Sequence, residues 1–163
     1  MAAIESINKW LYEIRKLCAR KRDILNDIDN VKQERETIFD AANTVYGNVG
    51  GHTSDINDPT LQKAQKLCDK YKNKLDGLIL EMENIIDNID KRHEIITACF
   101  EDEEADMTVQ EYETLFYYYF EGMSADEVGT AIYYSERKIY EFKKGAINKL
   151  NMYIKKHKNE LLQ

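Results

Sequence analysis

Leu61, Ala64, Cys68, Tyr71, Leu75, Leu78, Met82, Ile85, Ile89, Arg92, Ile96 and Cys99 follow one another at alternating spacings of three and four residues, a heptad seam broken only by Arg92. A repeat of 3.5 residues fits an α-helix, and its apolar stripe has to be covered by another helix. A second seam precedes it: Ile4, Ile7, Leu11, Ile14, Cys18, Leu25 and Ile28, continued by Val31, Ile38, Ala42 and Val45 after a slip of phase near Val31. Between the two, YGNVGGHTSDINDPT holds three of the seven glycines and the only proline, which predicts a loop. Asp58 is suited to cap the next helix and Pro59 to occupy its first position, where a missing N–H is harmless. The expectation is a long antiparallel two-helix coiled-coil hairpin over residues 1–100, with helices at about 3–46 and 59–100 and a loop at 47–58. Each helix would be about 60 Å long. Two helices make a thin core, so the seam is expected to pack on a second copy or on the C-terminal residues, and self-association through the hairpin is expected.

Composition agrees with an all-α chain: 163 residues, 43% hydrophobic and 33% charged, with one proline. Cys18, Cys68 and Cys99 lie far apart without metal-ligand spacing, as do His52, His93 and His157, so neither a metal nor a cofactor is expected. An odd, scattered cysteine set suggests reduced thiols and a cytoplasmic location. The first segment carries acids early and lacks the apolar core of a signal peptide, and no stretch reaches the about 18 apolar residues of a membrane span. No nucleophile with a base, phosphate loop or carboxylate cluster stands out, so an enzyme is not expected.

Charge is divided along the chain. The net charge is −7, yet residues from 133 onward hold eight Lys or Arg against three acids, while 101–130 hold ten acids and no Lys or Arg. The run EDEEAD opens an acidic linker at 101–107, expected to be solvated, with docking of a basic partner or screening of the basic helix as alternatives.

Residues 108–163 are punctuated as three helices. Thr108 with Glu111 and Ser124 with Glu127 have capping-box spacing, and Gly122 can end the helix between them. Helices are therefore expected at about 109–121 and 125–132, with a third capped by Ser135. On that third helix Ile139, Phe142, Ala146, Leu150 and Tyr153 share one face, and Arg137, Glu141, Lys144 and Asn148 share the other, flanked by Lys138 and Tyr140. A short helix, a tight turn and an outward-facing basic helix make a helix-turn-helix, and Gly129 fits a close crossing of its two helices. In FYYYF, residues 116–120, Phe116, Tyr119 and Phe120 fall on the side of Tyr112 and Leu115, which predicts core packing; Tyr117 and Tyr118 point elsewhere.

The segment LFYYYFEGMSADEVGTAIYYSERKIYEFKKGAINKL, residues 115–150, resembles region 4 of bacterial sigma factors without gaps. The layout is similar to phage and prophage transcriptional regulators of Gram-positive bacteria, the ArpU and RinA type of late-gene activator and related phage proteins. The resemblance implies a C-terminal sigma region 4-like helix-turn-helix domain that binds double-stranded DNA and meets RNA polymerase. It implies DNA contacts at Ser135, Glu136, Arg137, Lys138, Tyr140, Glu141, Lys143 and Lys144. Arg or Lys can donate to guanine, Glu141 can accept from cytosine, and Lys143, Lys149, Lys155 and Lys156 suit phosphates. Where the family often has a turn glycine this chain has Tyr133, so a different turn geometry is expected. The other sigma regions have no counterpart among these residues.

Two further functions fit the same pattern. One is an adaptor that binds polymerase without touching DNA. The other is a small terminase-like DNA-packaging protein, although its DNA-binding unit usually comes first. If the chain pairs, a two-fold operator follows.

Overall fold

The computed structural model describes residues 7–46 and 59–157, with side chains from 7–40 and 62–157. The helix start near residue 3, the loop at 47–58 and the last six residues lie outside the described residues. Within them the chain is all-helical: α1 Ile7–Tyr46, α2 Pro59–Glu101, α3 Val109–Leu115, a five-residue π-helical turn Phe116–Phe120, α4 Ala125–Ile132 and α5 Glu136–Lys156.

Burial follows the two seams with instructive exceptions. On α2, Met82, Ile85, Ile89, Ile96 and Cys99 are buried and Cys68, Tyr71, Leu75 and Leu78 are half-buried, while Ala64 is exposed. On α1, Ile7, Leu11 and Ile14 are buried, but the next buried position is Ile24 and not Leu25, followed by Val31. The change of phase therefore falls between Ile14 and Ile24, earlier than the apolar pattern predicts. Leu25 and Ile24 are equally apolar neighbours, and packing alone chose between them.

The chain divides into two compact units, Met1–Arg20 with Ile85–Gln163, and Lys21–Asn84. In the first, Arg92 explains its place in an apolar seam. Its guanidinium donates to the Trp10 carbonyl at 2.6 Å and to Glu13 at 2.8 Å, and it lies over the Trp10 ring. Hydrogen bonding from Arg92 holds the Glu13 carboxyl below its ordinary range against the opposing effect of burial. His93 lies near the hydroxyl of Tyr112 at 3.1 Å and packs edge-on against Phe116 and Phe120. Cys99 is buried, which pushes its thiol up to about 11 and leaves it protonated at neutral pH.

α5 packs on both α3 and α4. Ala125, Val128 and Ile139 form a buried cluster between α4 and α5, with Tyr117, Tyr118, Met123, Ile132 and Phe142 packed around it. The expected single helix over 109–121 is α3 continued by the π-turn, which the Glu121 N–H closes on the Phe116 carbonyl at 3.3 Å. Leu115, Tyr119 and Phe120 are buried, as their phase predicts, whereas Phe116 is only half-buried; Tyr117 and Tyr118 cover the α4–α5 cluster.

The acidic run folds against α5. Asp102 accepts from the Glu104 backbone N–H, Lys149 donates to the Asp106 carbonyl, Lys156 pairs with Glu104, and Met107 is buried. Lys149 also reaches Glu111 at 2.8 Å, and the Gly145 α-carbon lies so close to that carboxyl that a side chain would displace it.

Candidate nucleic-acid interface

Local chemistry sets the boundaries of α4 and α5. The Ser124 hydroxyl accepts from the Glu127 N–H, and the Glu127 carboxylate accepts from the Ser124 N–H at 2.7 Å. This reciprocal box satisfies helix N–H groups that otherwise have no partner. At the far end of α4, the N–H groups of Tyr133 and Tyr134 both donate to the Gly129 carbonyl. Tyr133 adopts φ 62° and ψ 41°, the left-handed conformation that glycine would take there. The expected change of turn geometry does not occur: the chain keeps the glycine-type turn and accepts a strained tyrosine, worth roughly 1–2 kcal/mol.

Gly129 shows why the turn is so tight. A β-carbon at that position would come within 2.5 Å of the Tyr134 carbonyl oxygen and 3.6 Å of Ile139. No larger residue fits without moving the backbone between α4 and α5, so Gly129 allows the approach that buries Ile139.

With Ile139, Ala146, Leu150 and Ile154 buried, α5 presents its other side outward. Ser135 is exposed but serves as the N-cap, accepting from the Lys138 N–H at 3.4 Å. Glu136 is exposed in the first turn. Arg137, with its side chain 91% exposed, and Lys138 both pair with Glu141, at 3.7 Å and 2.8 Å. The hydrogen bond from Lys138, then its charge and that of Arg137, keep the Glu141 carboxyl below its ordinary range. Tyr140 is half-exposed and Lys144 exposed, with no ion-pair partner for Lys144 among the described residues.

Arg137, Lys138, Tyr140, Glu141 and Lys144 thus occupy the outer side of one helix. Lys143 differs. Its ammonium lies 3.8 Å from the centre of the Tyr118 ring, and the Arg15 guanidinium lies 5.1 Å from the same ring while donating to the Gly122 carbonyl. Lys143 is therefore turned towards an internal aromatic contact. Lys149 and Lys156, both expected at phosphate, are engaged with Glu111 and Glu104. Lys155 is exposed.

Tyr133 was no candidate on sequence grounds, yet it is 93% exposed immediately before α5. The adjacent Tyr134 instead packs edge-on against Phe142 at 5.1 Å. The pair of tyrosines between two capped helices was the available signal, but only the fold separates the packed ring from the free one. The chain matches no family model, no curated protein and no solved structure.

Proposed function

We propose that this protein is a sequence-specific double-stranded DNA-binding transcriptional regulator, sigma-like and phage or prophage encoded, which contacts RNA polymerase at a promoter. In this reading α4, the Tyr133–Tyr134 turn and α5 form a helix-turn-helix with α5 in the major groove, carried by the α1–α2 pair as a helical hairpin. The observation that carries it is the outer side of α5, where Arg137, Tyr140 and Lys144 stay exposed while Ile139 and Ala146 are buried.

The pairing of Arg137 with Glu141 is compatible with base reading. An exposed pair of this kind contributes about 0.2–1 kcal/mol, whereas a bidentate arginine–guanine contact discriminates by about 1–3 kcal/mol. Arg137 can therefore exchange Glu141 for guanine at little cost, while Glu141 accepts from cytosine only after also giving up its 2.8 Å bond from Lys138. Lys144 and Lys155 suit phosphates.

A gel shift with DNA from the gene's own neighbourhood, run over a salt series, tests this reading. Specific binding should weaken steeply with salt as phosphate-bound counterions are released. Arg137→Ala with Lys144→Ala should lower affinity by about 1–3 kcal/mol and flatten the salt slope. Unchanged binding would show that the reading face is misassigned. The adaptor reading draws on exposed Tyr133 and half-exposed Tyr140 beside Arg137, since tyrosine and arginine favour protein interfaces. Polymerase capture with no DNA bound at low salt would favour it.

A further inference from the structure

The Lys21–Asn84 unit leaves much of its apolar surface uncovered. Among its described side chains Ile24, Val31 and Met82 are buried, whereas Leu25, Phe39, Ile79 and Leu80 are between 44% and 60% exposed. Single exposed apolar residues are ordinary, but two of these, Phe39 and Ile79, line one groove. Leu25 and Phe39 lie two heptads apart and so share one side of α1, to within the drift of about 20° per heptad of a straight helix. Phe39 borders one open groove with Cys68, Leu75 and Ile79 of α2. The rim of that groove holds two bases, Arg35 and Lys72, and two acids, Asp69 and Asp76. All four are exposed, and none has an ion-pair partner among the described residues.

We infer that this groove is the surface on which a second copy of the chain docks, giving a two-fold dimer through the Lys21–Asn84 unit. An apolar floor edged by both charges suits a two-fold contact, in which the bases of each copy can meet the acids of the other. Other occupants fit less well. Nucleic acid would meet Asp69 and Asp76, and a lipid surface would have to cover charges of both signs. Two copies also bring together four helices, enough to close a core that two leave open.

Sedimentation velocity on the full chain over a dilution series tests the inference. The expected result is a dimer that dissociates on dilution. Phe39→Asp with Ile79→Asp should weaken association about a hundredfold, with helicity by far-UV circular dichroism retained because both side chains are exposed. Arg35→Glu with Lys72→Glu, and separately Asp69→Lys with Asp76→Lys, should each weaken it about tenfold, and mixing the two variants should restore pairing. A monomer at every concentration would overturn the inference. So would a dimer indifferent to the Phe39 and Ile79 changes, or charge variants that pair no better when mixed.

Discussion

At Tyr133 a bulky residue sits at φ 62° with its ring almost wholly in solvent, so no contact within the described fold offsets the backbone strain. Glycine would adopt the same conformation without a Cβ penalty, though it would also gain freedom in the unfolded chain. Tyr133→Gly is therefore expected to stabilise the protein by about 1 kcal/mol, read as a higher denaturant midpoint with an unchanged slope; a lower midpoint would mean that the ring packs in the folded state. Residue identity alone suggested that a tyrosine would force another turn. The turn is instead set by Gly129 and by the two N–H groups that converge on its carbonyl, so the neighbours imposed the conformation. Arg92 is similar: its position in an apolar seam was plain from spacing, but its partners Trp10 and Glu13 lie about eighty residues away in sequence.

Among the elements, α3 carries a largely buried carboxylate at its N-terminus. Glu111 closes the capping box on Thr108 and accepts from Lys149 of α5, with a side chain only 10% exposed. Burial raises its pKa, yet the bonds from Lys149 and Thr108 outweigh burial and hold it below the ordinary carboxylate range. A carboxyl with a depressed folded value adds stability that is fully present above its unfolded value and is lost as pH falls through the folded one. Glu111→Gln should therefore lower stability at neutral pH by about 1–3 kcal/mol and make the loss on acidification below the ordinary glutamate range shallower than in the wild type. Denaturant unfolding across that range measures both, and parallel acid limbs would assign the dependence to other carboxyls. Both capping boxes were legible because each joins residues only three apart. The π-turn at Phe116–Phe120 was not: Phe116 and Phe120 stack on one another and surround His93 of α2, an arrangement no local rule supplies.

For the whole molecule, the net charge of −7 says little about DNA, because acids and bases are segregated along the sequence and then recombined in space. Lys149 and Lys156 fold back on the acidic residues 104–111, which leaves Arg137, Lys138, Lys144 and Lys155 as the outward cations of α5. If the chain pairs through its Lys21–Asn84 unit and reads DNA with α5, footprinting should show two protected half-sites related by a two-fold axis. A single protected half-site would separate pairing from DNA reading. The sequence by itself determined where most helices begin and end and the apolar side of α2, α4 and α5, since seams, caps and glycines act over three to seven residues. Only the tertiary structure decided which of Ile24 and Leu25 is buried, which lysines remain free and what conformation Tyr133 adopts. Those outcomes depend on competition among side chains distant in sequence, and neither residue type nor spacing encodes who meets whom.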